Sequence, residues 1–138
     1  MKVFVDTNVL LDVLARRQPF YAAAARIWSL AERAKIVGLV SAISFNNIYY
    51  VVRKASGREP AEKALLLIRD VFAPVPLSVQ ILNQAMDAGF DDFEDAIQFH
   101  SAIHAEAACL ITRDGDRFRD RGFPVVLPGV FLASLAPE

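Results

Sequence analysis

The chain has little of several residue types that secreted or zinc-stabilised domains depend on. Its single cysteine, Cys109, excludes an internal disulfide and fits a reducing cytoplasm. Its two histidines, His100 and His104, are four residues apart with no evident third ligand, which disfavours a zinc site. No signal peptide is visible, and no apolar run is long enough to span a membrane. We therefore expect a cytoplasmic protein without a membrane partner.

The chain also lacks an excess of charge of one sign, since the net charge of the 138 residues is −1. The chain as a whole therefore carries no basic footprint for nucleic acid, although acidic residues held at one site would offset basic residues elsewhere. Hydrophobic residues, in contrast, make up 54% of the chain. This excess indicates either apolar surface for a homodimer or protein partner, which we favour, or a sheet buried on both faces. The length predicts a single domain over residues 1–138.

Short apolar segments alternate with segments of helical periodicity. The predicted strands cover residues 3–5, 36–40, 74–76, 109–112 and 125–127. The predicted helices cover residues 8–16, 21–33, 45–54, 61–72, 79–86, 93–108 and 128–135. Ser44 and Ser78 are the expected caps of the third and fifth helices, and Gly57 is expected to end the third. This alternation predicts right-handed crossovers and a parallel sheet with helices on both faces, in which prolines confine the strand at 74–76 to an edge.

Acidic residues follow two of the predicted strands. Asp6 comes directly after the first strand, and Asp114 and Asp116 follow the strand at 109–112. A third acidic group, which includes Asp92 and Asp95, opens the helix after residue 92. Because ligands bind beyond the carboxyl ends of parallel strands, these acids are expected to converge. Clustered carboxylates are the ligands that Mg²⁺ and Mn²⁺ prefer, so we predict a metal site for phosphodiester chemistry.

Each of these acids also has a simpler interpretation. Asp6 could cap the first helix, although neighbouring residues could do so equally well. Asp92 with Asp95 approximates a capping box, and Asp114 with Asp116 could form an ordinary turn. We predict Asp6, Asp95 and Asp114 as the principal metal ligands, with Asp92 and Asp116 as alternates.

Neighbouring polar and basic residues are candidates for supporting roles. Asn8 could orient a ligand or cap a helix, and Thr112 could donate a hydrogen bond to an acid or a phosphate. The candidate phosphate contacts are Arg16, Arg17, Arg53, Lys54, Arg58, Arg113, Arg117, Arg119 and Arg121. We select Arg113 and Arg117, which flank Asp114, together with Arg16 and Lys54 as RNA-binding candidates. The alternative for each is a solvated charge.

Four segments together carry a family resemblance. They are Val-Asp-Thr-Asn-Val-Leu-Leu-Asp at 5–12, Ser-Ala-Ile-Ser-Phe-Asn-Asn-Ile-Tyr-Tyr at 41–50, Phe-Glu-Asp-Ala-Ile-Gln at 93–98 and Ile-Thr-Arg-Asp at 111–114. In order and spacing the chain resembles the PIN-domain family, and within it the VapC-like ribonuclease toxins of bacterial toxin–antitoxin modules. The resemblance implies a three-layer α/β/α sandwich around a five-stranded parallel sheet. It also implies acids that hold Mg²⁺ or Mn²⁺, cleavage of single-stranded RNA, and a small antitoxin partner.

Carried over by position, Asp6 matches the first acid of the family, Asp95 the third and Asp114 the fourth. The family usually has a glutamate where this chain has Asn47 or, in another alignment, Asn46. An amide binds a hard cation less well than a carboxylate. The competing hypothesis is therefore a catalytically degenerate PIN domain that acts as an RNA- or protein-binding module. A phosphatase of the haloacid-dehalogenase type is disfavoured, because Asn8 stands where its second aspartate is needed.

Overall fold

The computed structural model describes residues 1–118 and 121–137, and five parallel strands form one sheet within them. The strands are β1 (Lys2–Val5), β2 (Val37–Ser41), β3 (Ala73–Val75), β4 (Cys109–Ile111) and β5 (Val125–Val126). Their order across the sheet is β3-β2-β1-β4-β5, so β3 lies at an edge as its proline content predicts. The expected five-stranded parallel sheet is confirmed.

Helices connect these strands. They are α1 (Thr7–Leu14), α2 (Tyr21–Glu32), α3 (Ala42–Ser56), α4 (Arg58–Val71), α5 (Val79–Asp87), α6 (Phe93–His104) and α7 (Pro128–Ser134), with a short 3-10 turn at Gly115–Phe118. Gly57, at φ 101°, separates α3 from α4 as expected, because glycine adopts this backbone conformation without steric cost. In the part of the chain that the structure describes, no helix is long and apolar enough to cross a membrane.

The central strand is buried on both faces. Val3 and Val5 pack on one side with residues of α1, α2 and α7, whereas Phe4 packs on the other with residues of α6. All three side chains are fully buried. Alternate side chains of a strand point to opposite faces, so this burial requires helices on both sides. The predicted three-layer α/β/α sandwich is confirmed, and burial on both faces explains the continuous apolar strands.

The predicted cap of α3 is wrong by one turn. Ser41, not Ser44, is the capping residue, and its hydroxyl accepts a hydrogen bond from the Ile43 backbone N–H at 3.2 Å. Ser44 lies inside the helix and is fully buried. Ser78 caps α5 as predicted, accepting a hydrogen bond from the Ile81 backbone N–H at 3.1 Å. Ser41 and Ser78 each satisfy a backbone donor in the first turn of their helix. Because Ser41 and Ser44 are close in the sequence and either could cap a helix, the sequence alone does not distinguish them.

The other helix boundaries that differ most from the prediction are the start of α4 and the end of α6. The helix predicted over 61–72 begins earlier, at Arg58. The helix predicted over 93–108 ends at His104, because Glu106 turns into the left-handed region at φ 57° and the Ala107 N–H donates to the Ala102 carbonyl at 3.1 Å. The residues after the turn then lead directly into β4.

The strand order creates a crevice between β1 and β4. From β1 the chain moves to β2 and β3 on one side and returns to β4 on the other. Helix α1, which follows β1, packs on one face of the sheet, whereas the 3-10 turn that follows β4 packs on the other face through Phe118. The chain therefore leaves the two strand ends in different directions, which is the arrangement that opens a crevice at the strand ends. Val5 pairs with Ile111 at the ends of the two strands, and the Asp6 N–H donates to the Ile111 carbonyl at 2.9 Å. The residues after β1 and β4 are thus held side by side.

Candidate metal centre

Asp6 lies at the bottom of this crevice with only 4% of its surface exposed. Its side chain does not cap α1, although its backbone occupies the cap position. Instead the carboxylate accepts a hydrogen bond of 2.7 Å from the hydroxyl of Thr112, which follows β4 and is fully buried. The strand pairing therefore delivers both partners, and Thr112 fixes one oxygen of Asp6.

Asp95 contributes a second buried carboxylate, from the first turn of α6. The capping interpretation holds for its neighbour, because the Asp92 side chain accepts a hydrogen bond of 3.0 Å from the Asp95 backbone N–H. The Asp95 side chain is not needed for that cap and is 5% exposed. Asp92 itself is exposed. Capping by Asp92 thus positions the first turn of α6, and the Asp95 carboxylate faces Asp6 closely enough to influence its protonation.

Asp114 is the third carboxylate, held beside the other two by polar contacts. The side-chain amide of Asn8 donates to Asp114 Oδ2 at 3.0 Å, and the Asp114 backbone N–H donates to the Thr112 hydroxyl at 3.2 Å. Asn8 therefore orients a neighbouring carboxylate in this structure, one of the two roles expected for it. Asp116 lies exposed in the 3-10 turn that follows.

Both buried carboxylates resist ionisation. The pKa of Asp6 is raised to about 7, chiefly by burial and also by the charge of Asp95, against the lowering effect of the Thr112 hydrogen bond. The pKa of Asp95 is likewise raised to about 6, chiefly by burial and also by the charge of Asp92, while the charge of Arg117 acts to lower it. Two carboxylates that are costly to ionise together form a site that a cation would stabilise.

The raised pKa of Asp6 predicts how stability depends on pH. The folded chain holds this proton more tightly than the unfolded chain, whose value is near 3.8, so the associated stabilisation is complete below about pH 4 and is lost as pH rises through about 7. The loss is on the order of 4 kcal/mol at most. In urea unfolding with EDTA, we expect the free energy of unfolding of wild type, relative to Asp6→Asn, to fall between pH 4 and pH 8. An unchanged difference would contradict the burial of an unpaired carboxyl.

The basic candidates have different surroundings. Arg117 lies among the acids, with Nη1 3.6 Å from Asp95 Oδ1 and Nη2 3.5 Å from Asp114 Oδ2. Arg113 instead turns toward α1 and α2, where its Nε donates to Asp12 Oδ2 at 2.8 Å and its guanidinium lies 4.4 Å from the Phe20 ring centroid. Asp12 is therefore salt-bridged to Arg113.

The other two basic residues selected for RNA contact, Arg16 and Lys54, lie on the surface near the C-terminal ends of their helices. Arg16 is exposed two residues beyond the end of α1, and Lys54 is exposed in the last turn of α3. Each lies at the end of its helix distant from the strand that precedes it. Arg119 falls outside the described residues. RNA contact stays a prediction for all of them.

The carboxylates of Asp6, Asp95 and Asp114 are the donor set that this site offers to a divalent ion. Within residues 1–118 and 121–137, no three Asp, Glu, His or Cys side chains stand together as a preformed metal cage. Magnesium, however, usually keeps several waters and is bound through one or two carboxylates. Asp6 and Asp95 supply two such carboxylates, both buried and mutually repelling. The residues present therefore fit Mg²⁺ or Mn²⁺, with Asp114 as a third ligand that is paired with Arg117 in the metal-free chain.

A buried polar network beneath the acids was not anticipated. The side-chain amide of Gln98 donates to the Thr7 hydroxyl at 3.0 Å and to the Ser44 hydroxyl at 3.2 Å, and the two hydroxyls are 2.7 Å apart. We call these three residues the hydroxyl–amide triad. The sequence feature that could have indicated this network is Gln98, a polar residue between the apolar residues Ile97 and Phe99 of α6. Asn47 lies one turn beyond Ser44, and its side-chain nitrogen is buried without a hydrogen-bond partner among residues 1–118 and 121–137.

Comparison with known proteins places the chain in a family. A model of the PIN domain matches residues 2–116, so the chain belongs to the PIN-domain family. Comparison with curated proteins gave no match. The toxin VapC20 of Mycobacterium tuberculosis, described as cleaving the sarcin–ricin loop, is 20% identical with a TM-score of 0.70, over 88% of this chain and 95% of that one.

Two further solved structures share the fold. VapBC2 of Rickettsia felis, bound to a DNA fragment from its promoter, is 15% identical with a TM-score of 0.70, over 92% of this chain and 98% of that one. A toxin–antitoxin complex from Klebsiella pneumoniae is 21% identical with a TM-score of 0.67, over 91% and 97% of the two chains. The resemblance to the PIN family is thus confirmed, and the solved structures add agreement of fold.

Proposed function

We propose that this protein is a divalent-metal-dependent endoribonuclease that cleaves single-stranded RNA, and that it is the toxin of a toxin–antitoxin pair. The observation that carries the proposal is the pair of buried carboxylates, Asp6 and Asp95, in the β1–β4 crevice with Asp114 beside them. Membership of the PIN family supports nuclease activity. The structural similarity to VapC20 and to toxin–antitoxin complexes supports the toxin assignment.

In this proposal Asp6, Asp95 and Asp114 hold Mg²⁺ or Mn²⁺, with Asp92 and Asp116 as outer acids. The bound ion would activate a water and neutralise charge that develops on the phosphate during cleavage. Thr112 keeps one oxygen of Asp6 in place through its 2.7 Å hydrogen bond.

Asn8 keeps the Asp114 carboxylate turned toward the crevice through its 3.0 Å contact. Since the amide group holds Asp114 without neutralising it, the carboxylate keeps its charge for a cation. The residues assigned to phosphate contact are Arg16, Lys54, Arg113 and Arg117.

The partners follow from the toxin assignment. A small antitoxin would cover the crevice and block access of RNA, and two copies of the chain would form a homodimer. The expected location is the cytoplasm, where both the RNA and a reduced Cys109 would be found.

The test is cleavage of a mixed pool of single-stranded RNA by purified protein with Mn²⁺ or Mg²⁺. We expect cleavage that EDTA abolishes and added Mn²⁺ restores. The variant Asp95→Asn, which keeps the shape of the side chain but removes its charge, is expected to lose most of the activity. Cleavage that persists in EDTA and in this variant would identify a contaminating nuclease and contradict the proposal.

A second function has specific support in the residues around Asn47. The usual acid of the family is replaced there by an amide, and no three-acid cage is preformed within the described ranges 1–118 and 121–137. A catalytically degenerate PIN domain would keep the fold and bind RNA or protein without cleaving. Weak Mn²⁺ binding by calorimetry, with RNA bound but intact at high protein concentration, would favour this alternative over the ribonuclease.

A further inference from the structure

Arg117 spans two carboxylates that the proposed function assigns to the metal. One nitrogen of its guanidinium lies 3.6 Å from Asp95, and the other lies 3.5 Å from Asp114. The two acids come from different elements, the first turn of α6 and the loop after β4. A single planar cation therefore links the first turn of α6 to the loop after β4.

The electrostatic environment of Arg117 extends beyond these two contacts. Although partial burial acts to lower it, the pKa of Arg117 is raised by the surrounding negative charges of Asp95, Asp114, Asp6 and Asp92. These acids comprise the three predicted principal ligands and one alternate. The whole acidic cluster therefore attracts the guanidinium, and it would attract a divalent cation to the same place.

The other arginine beside Asp114 does not share this position. Arg113 contacts the Phe20 ring and forms a salt bridge with Asp12, whose side chain is only 1% exposed. Arg117, in contrast, is 53% exposed and extends from a short 3-10 turn. It can therefore leave the crevice by rotating its own side chain, without disrupting the packed helices.

We propose that, in the metal-free protein, Arg117 occupies the position of the divalent ion and is displaced from Asp95 and Asp114 when that ion binds. This inference rests on the proposed function. The guanidinium acts as an internal competitor for the metal. It offsets repulsion among the carboxylates before loading, and its departure frees both ligands. Because the Arg117 side chain is 53% exposed and its two contacts are 3.6 Å and 3.5 Å long, each ion pair is weak, and removing both should tighten metal binding only about fivefold to tenfold.

Calorimetric titration of Mn²⁺ into EDTA-stripped protein, without RNA, tests the exchange. We expect Arg117→Gln to bind Mn²⁺ about fivefold to tenfold more tightly than wild type. The matched control is Arg69→Gln, which removes an exposed arginine from the last turn of α4 and should leave the affinity unchanged. The diamagnetic ion Mg²⁺ gives a second readout, since the Nε–H resonance of Arg117 should shift on saturation.

The outcomes separate this inference from the proposed function. Equal or weaker Mn²⁺ binding by Arg117→Gln, with binding retained in wild type, would overturn the inference and leave the metal site standing. An Arg117 resonance that does not move at saturating Mg²⁺ would overturn it in the same way. Absence of Mn²⁺ binding in both wild type and variant would overturn the inference together with the proposed metal dependence.

Discussion

Asp6→Asn is expected to reduce metal-dependent RNA cleavage by more than about a hundredfold. Removing a residue that only supports a metal ligand costs up to about a hundredfold, and Asp6 is itself a proposed ligand, so its loss should cost more. The variant keeps the shape of the side chain and an oxygen that can accept the 2.7 Å hydrogen bond from Thr112. It removes a negative charge from the most deeply buried acid of the cluster. Because that charge is costly in the metal-free fold, the variant should be at least as stable as wild type at pH 8 with EDTA.

Activity and stability must therefore be measured together. Cleavage rates with Mn²⁺ give the functional effect, and thermal unfolding in EDTA gives the structural one. Asp70→Asn is the matched control, since Asp70 is exposed on α4 and should tolerate the same change within about twofold in rate. A variant at position 6 that cleaves at the wild-type rate would remove Asp6 from the metal site. Loss of activity accompanied by unfolding would contradict the expected stability.

The positions of the acids at the ends of strands could be predicted because they depend on chain direction alone. Asp6 and Asp114 follow apolar segments, and in a parallel sheet the ends of such segments lie at the same edge. The sequence does not state which strands are neighbours. The pairing of Val5 with Ile111 brings Asp6 and Thr112 together, and it follows from the return of the chain to the far side of β1.

Contacts between side chains from distant segments could not be predicted from the sequence. Arg113 and Arg117 both flank Asp114, yet Arg113 pairs with Asp12 on α1 whereas Arg117 faces Asp95 on α6. The 3-10 turn at Gly115–Phe118 decides this division, because it turns the chain between the two arginines. Ser44 was predicted as a cap for a related reason. A serine at a helix start satisfies the local rule, and only tertiary packing distinguishes it from Ser41.

Gln98→Ala is expected to destabilise the protein by about 3 kcal/mol, the range for a buried large-to-small change that also removes hydrogen bonds. Gln98 is fully buried, and its amide donates to the hydroxyls of Thr7 and Ser44. Alanine leaves a cavity and removes a donor from each hydroxyl. The matched control is Gln80→Ala, at an exposed position of α5, which should change stability by less than about 0.5 kcal/mol.

A double-mutant cycle distinguishes the triad from simple loss of volume. Urea unfolding of Gln98→Ala, Ser44→Ala and the double variant should give a coupling energy of about 1 kcal/mol, because the two side chains share a hydrogen bond. Additive effects would mean that Gln98 stabilises the protein through packing alone.

Coupling would have a consequence for the crevice, because each member of the triad lies on a helix that carries a site residue. Thr7 is adjacent to Asp6, Gln98 lies one turn beyond Asp95, and Ser44 lies one turn before Asn47. The triad therefore ties α1, α3 and α6 together just beneath the carboxylates. Two acids that repel each other would otherwise favour separation of the helices that carry them, and a buried hydrogen-bonded network opposes this. Gln98→Ala should accordingly weaken Mn²⁺ binding even at temperatures where the variant is fully folded, whereas Gln80→Ala should not.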